Sequence, residues 1–170
     1  MTTELFRPVS LGALGQTGST IAVRATPEEC AAVAARMGLS AIQSLECVFR
    51  LNVEDDGVSI FARGRLLAGV TRTCVVSAEE FEAPVEEVFE VRFVPAGSER
   101  EDGPDPDLPD EIPYVNNTID LGEAAAEQLG LALDPYPRMD GAAVLEIEDD
   151  EDASPFSILA RRSGPDQTKQ

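Results

Sequence analysis

The chain has 170 residues, enough for one domain or one domain with tails, and 43% of them are hydrophobic, enough for a core that needs no metal or disulfide staple. It has seven Phe, two Tyr, no Trp and no His, so the core must rest on aliphatic side chains, and Ser-His, Cys-His and imidazole-base chemistry is excluded. The net charge of -19 gives a field that repels phosphate backbones and anionic membranes at long range and attracts basic proteins.

In chain order, Met1-Thr-Thr-Glu-Leu-Phe-Arg7 has no basic flank followed by an apolar stretch and does not read as a signal peptide. No apolar run approaches the ~20 residues that span a bilayer, so a cytoplasmic protein with no membrane partner is expected. Leu5 to Val9 reads as extended. Gly12, Gly15 and Gly18 lack both the Gly-Lys-Ser/Thr ending of a phosphate loop and the dinucleotide glycine spacing. Thr26-Pro27-Glu28-Glu29 writes a helix start with a capping box, and Gly38 a left-handed stop, which predicts a helix over 27–37.

From residue 42 the apolar period becomes two. Leu45, Cys47, Phe49, Leu51 and Val53 alternate with polar residues, and Glu54-Asp55-Asp56-Gly57 forms a turn. Val58 to Ala62 begins a return strand, Leu66 to Val76 alternates again, and Phe89, Val91 and Phe93 mark a further strand. Short turns between sequential strands predict an antiparallel meander. Residues 97–113 hold four prolines and seven carboxylates and read as a flexible acidic loop. Asp120-Leu-Gly-Glu123 starts a second helix with a second capping box. Leu121, Ala125 and Leu129 share one face, and Asp134-Pro-Tyr-Pro137 stops it. A last strand is expected over 143–147, then an acidic run and a short helix carrying Phe156 and Leu159 on one face, with Arg161 and Arg162 at its C-terminal end.

Cys30, Cys47 and Cys74 form no C-x-x-C pair, and without His a zinc site would need all three thiolates plus a carboxylate. They read as reduced, buried small apolar residues, with no metal and no cofactor implied. Asp105, Asp107 and Asp110 lack the spacing and central Gly of a calcium loop. One stretch opposes the bulk charge: from Gly57 to Val76 there are three arginines and not one carboxylate. Arg63 and Arg65 fall on one strand face, with Arg50 on the neighbouring strand. With Arg72 they form a candidate RNA-phosphate surface; the alternative is pairing with nearby carboxylates. Phe156 and Leu159 either dock on their own domain or enter a partner's groove.

The run Asp120-Leu-Gly-Glu-Ala-Ala-Ala-Glu-Gln-Leu-Gly-Leu-Ala-Leu-Asp-Pro-Tyr-Pro-Arg138 resembles the signature of the YceD family. Gly64-Arg-Leu-Leu-Ala-Gly-Val-Thr-Arg-Thr-Cys74 is similar to its strand-Gly-strand-Cys segment, and Phe89-x-Val-x-Phe93, the acidic insertion and the terminal Ser-Pro-Phe-x-x-Leu also fit. The motif residues are Cys74, Asp120, Leu121, Gly122, Leu129, Pro135, Tyr136, Pro137 and Arg138. Many members carry a second Cys after the position of Cys74, where this chain has Val75-Val76. The resemblance implies a non-enzymatic accessory role in accumulation of large-subunit ribosomal RNA. Family genes commonly neighbour one for a basic large-subunit ribosomal protein.

The expected architecture is α+β: a curved antiparallel sheet of about five or six strands with two main helices. Residues 1–147 are expected to form a single domain, with 148–170 an acidic linker and short C-terminal helix or tail. Expected partners are large-subunit ribosomal RNA or its precursor, or a basic ribosomal protein or assembly factor.

Overall fold

A computed structural model of the protein describes residues 4–15, 18–100 and 108–142. The elements in chain order are β1 (Pro8–Ser10), a 3-10 turn (Leu11–Ala13), β2 (Ser19–Arg24), α1 (Pro27–Met37), β3 (Ala41–Val53), β4 (Ile60–Thr73), β5 (Glu80–Pro95), β6 (Asp110–Tyr114), β7 (Thr118–Asp120) and α2 (Leu121–Ala132). The fold is α+β: a five-stranded sheet in the order β2-β3-β4-β5-β6, a two-stranded sheet of β1 with β7, and two helices. No helix among the described residues is long and apolar enough to cross a membrane.

Local signals place α1 where the sequence predicts it. Thr26 Oγ1 accepts from the Glu29 backbone N–H, and Glu29 returns a carboxylate oxygen to the Thr26 N–H at 2.8 Å. Gly38 adopts φ +66°, where a left-handed residue closes the last turn. Arg7 adds a two-pronged bond to the same Glu29 carboxylate, at 2.7 and 2.8 Å. The arginine and the Thr26 backbone hold the Glu29 carboxyl below the usual range.

Strands β2 to β5 are sequential and antiparallel, as period-two patterning predicts. A bulge at Gln43 shifts the register of β3, which is why Ile42 and Leu45 are both buried although they stand three positions apart, opposite faces in an unbroken strand. The return strand that begins near Val58 and the alternating stretch from Leu66 join in one continuous strand, β4, over Ile60–Thr73. Gly64 allows the continuity: a Cβ there would lie 2.1 Å from the Phe89 ring. Phe89 instead crosses above Gly64 and meets Phe49 edge-on at 5.7 Å.

The structure corrects the acidic loop at its C-terminal end. Asp110–Tyr114, assigned in part to the 97–113 loop, forms β6 and pairs with β5 in parallel, so the sheet is not wholly antiparallel. Non-local bonds hold β6 despite its proline: the Arg92 guanidinium donates to Glu111 at 3.1 Å, and the Tyr114 hydroxyl to the Val58 carbonyl at 2.7 Å. Neither is visible in local composition. The strand expected over 143–147 and the tail 148–170, with Phe156 and Leu159, lie outside the described residues.

Helix α2 is buried along most of its surface, with Leu121, Ala124, Ala125, Ala126 and Leu129 in the core. The core lies between the helices and the inward face of the sheet, where Phe49, Leu51, Ile60, Leu66, Val91 and Phe93 are buried.

Candidate functional site: the outer sheet face and the family motif

Because β4 pairs without interruption on both sides, its alternation assigns each arginine to a face. Ile60, Ala62, Leu66, Ala68 and Val70 are buried and define the inner face; Arg63 and Arg65 therefore point outward. Arg50 is the direct neighbour of Arg63 across β3–β4, on the same outer face. The structure thus brings together three of the four sequence-selected arginines. Arg72 is the correction. It has the parity of the buried residues and donates to the Asp134 carbonyl just beyond α2, so it ties the helix exit to the sheet. Counting in twos through Gly64 would have excluded it.

On this outer face Arg65 pairs with Glu86 at 2.6 Å, and Arg63 approaches Glu90 at 3.9 Å. The two arginine side chains remain 60% and 62% exposed, so they are paired but not buried. Arg50 has no ion pair among the described residues. The register then sets whole rows side by side: Arg24, Glu46, Leu67 and Glu86; Ala22, Val48, Arg65 and Val88; Thr20, Arg50, Arg63 and Glu90. Farther along, Phe61 adjoins Arg92, which sequence reasoning missed. Arg92 is the centre of a network with Glu54 (2.6 Å), Glu111 (3.1 Å) and Asp56 (3.8 Å).

The face is therefore mixed. Arg24, Arg50, Arg63, Arg65 and Arg92 share it with Glu46, Glu80, Glu82, Glu86, Glu90 and Glu111. Leu67 and Val88 stand 44% and 51% exposed between them. Exposed ion pairs of this kind are each worth about 0–1 kcal/mol, so a partner can exchange them cheaply.

The family-motif residues make a second constellation, whose geometry is structural. Asp120 caps α2: its Oδ1 accepts from the N–H of Gly122 at 2.9 Å and of Glu123 at 3.3 Å. The same oxygen also accepts from the Arg7 N–H at 2.8 Å. The expected capping box is one-sided, because the Glu123 carboxylate is taken by Arg36 at 2.7 and 2.9 Å. Leu121 and Leu129 are fully buried. Gly122 lets the N-terminal segment lie against the helix: a Cβ there would stand 2.3 Å from the Leu5 carbonyl oxygen.

Beyond α2, Pro135, Tyr136 and Arg138 are exposed, while the chain itself is pinned to the β4–β5 connection. The Pro137 carbonyl accepts from the Val75 N–H at 2.9 Å, and the Cys74 sulfur accepts from the N–H of Met139 and of Val76, each at 3.4 Å. Cys74 is 1% exposed. These backbone donors, with Ser77, pull its thiol down to about 6 against an opposing desolvation. Cys47, buried among apolar neighbours, is pushed up to about 12. All three cysteines are buried and free of disulfides, as their spacing suggested.

No curated protein and no solved structure matches the chain significantly. The motif that ties α2 to the N-terminal segment and to Cys74 falls within a family match over residues 62–160, and by that match the chain belongs to the YceD family, described as large ribosomal RNA subunit accumulation protein YceD.

Proposed function

We propose that this chain supports accumulation of large-subunit ribosomal RNA without catalysis, as an acidic adaptor that engages a basic ribosomal protein or assembly factor. One observation carries the mechanism: the outer sheet face sets glutamates of β3 and β5 among its arginines, pairs Arg65 with Glu86 and Arg63 with Glu90, and exposes Leu67 and Val88 between them. A phosphate backbone needs a run of unopposed cations. A protein partner instead matches charges of both signs around an apolar centre. The net charge of -19 draws basic partners and opposes naked RNA at long range.

The adjacency of Arg50 and Arg63 favours a second reading. Like charges directly opposite each other on a sheet are mutually destabilising, and an RNA phosphate between them would relieve the repulsion. Binding measurements on the full chain separate the two. The adaptor reading expects salt-sensitive binding to basic large-subunit ribosomal proteins that weakens when Glu80, Glu82, Glu86 and Glu90 become Gln. It also expects no arginine-dependent binding to ribosomal RNA fragments. If RNA binds and the R50A/R63A/R65A variant loses both affinity and salt slope, direct RNA contact replaces the adaptor.

A further inference from the structure

The outer sheet face is not the only uncovered surface. On the other side of the molecule, the N-terminal segment, β6, the β6–β7 turn and α2 enclose an open groove of about 560 Å3. Its floor is apolar, from Phe93 and Ile112, and its rims carry the exposed Phe6 and Val115. Its polar groups are acidic. Asp120 and Glu123 are already engaged by backbone amides and by Arg36, but Glu127 has no ion pair among the described residues. Its carboxyl is pushed above the usual range, first by desolvation against the groove and then by repulsion from Glu123. A groove so built is suited to two apolar side chains followed by a cation.

We propose that the chain's own C-terminal segment, Ser154–Arg162, occupies this groove, with Phe156 and Leu159 on the apolar floor and Arg161 or Arg162 beside Glu127. Three observations choose this occupant. The first is charge: the segment has two adjacent arginines and no carboxylate, in a chain of 32 acids, and it meets an acidic rim. The second is spacing, since Phe156 and Leu159 stand three apart, the interval that shares a helix face.

The third is reach. From Glu127 the helix runs only five residues to Ala132, roughly 8 Å at its usual rise. Asp134 is then anchored by Arg72, and the described chain ends at Ala142. Thirteen residues separate Ala142 from Phe156. Even as a random coil, a chain of that length has a root-mean-square span of about 20 Å, ample to return to the groove, and tethering would give an effective concentration on the order of millimolar. The family match also runs to residue 160 and so includes Phe156 and Leu159.

Amide NMR spectra of the full chain and of a chain ending at Ala153 test the proposal. Removing the segment should shift Phe6, Ile112, Val115 and Glu127 and leave the distant β3 residues in place. F156A/L159A in the full chain should reproduce those shifts, and both sets should be unchanged by dilution. V115D and E127K, both on exposed positions, should also release the segment, and R161E/R162E should restore docking to E127K. The proposal is overturned if truncation leaves the groove amides unmoved. It is equally overturned if the shifts fade on dilution, because the occupant is then the segment of a second copy.

Discussion

At the scale of single residues, two glycines on one helix make opposite predictions. Gly122 has the Leu5 carbonyl at 2.3 Å and the Arg7 nitrogen at 3.0 Å from where a Cβ would sit, and both are backbone atoms with little freedom to retreat. Gly122→Ala should therefore cost about 2–3 kcal/mol, as overpacking does, and lower the urea midpoint. Gly130 meets only the Met37 methyl group at 3.8 Å. There the helix propensity of alanine should prevail, and Gly130→Ala should stabilise the chain by up to ~1 kcal/mol and raise the midpoint. A second residue-scale prediction concerns Cys74. Its folded pKa is depressed to about 6, well below the ordinary thiol range. The stabilisation is then present in full above the unfolded value and is lost as pH falls through the folded one. Thiolate absorbance should titrate near pH 6, and Cys74→Ser should remove both that step and the matching slope in stability. A step found only above pH 8 would show that the amide donors do not hold a thiolate.

At the scale of elements, the segments readable in the sequence are those whose determinants are local. Helix α1 is the clearest case: its cap, its first-turn proline and its glycine stop all lie within thirteen residues, 26–38, and the helix has the predicted bounds. Thr26→Ala should cost about 1 kcal/mol, read as a lower thermal midpoint, whereas Thr26→Ser should cost little because the hydroxyl acceptor is kept. Where distant partners decide, the sequence is silent. Composition marks 97–113 as a loop, yet Arg92, Tyr114 and the free edge of β5 recruit Asp110–Tyr114 into the sheet. The candidate site divides on the same line. Arg50, Arg63 and Arg65 share a face by simple alternation, which local pattern can read. The glutamate partners of Arg63 and Arg65 come from β5, some twenty residues or more away, and those partners turn an apparently basic surface into a balanced one. The parity that turns Arg72 inward holds only if β4 runs unbroken through Gly64, and the reason for that glycine, the Phe89 ring of the next strand, is not local.

At the scale of the whole molecule, two electrostatic terms of opposite sign compete, and salt decides between them. The specific term is attractive: Arg92 with Glu111, Arg36 with Glu123 and Arg7 with Glu29 are partly shielded pairs. Arg7 holds Glu29 below the ordinary carboxylate range, and the Arg100 backbone N–H, aided by Arg92, holds Glu111 there, so their contribution is present above the ordinary carboxylate range and is lost as pH falls through the lowered folded values. The diffuse term is repulsive and arises from a net charge of -19 on 170 residues. At 0.15 M ionic strength the screening length is about 8 Å, longer than any of these pair distances but far shorter than the molecule. Neutral salt should therefore remove repulsion between remote acids while leaving the close pairs largely intact. The thermal midpoint at pH 7 should rise as salt increases from low concentration to 0.15 M, on the order of the level where surface fields are screened. The steepest rise is expected at the low end. A midpoint that falls over that range would mean that the arginine pairs, not the acidic excess, govern the energetics of the folded chain. The acidic field would then have little claim to be what draws a basic partner.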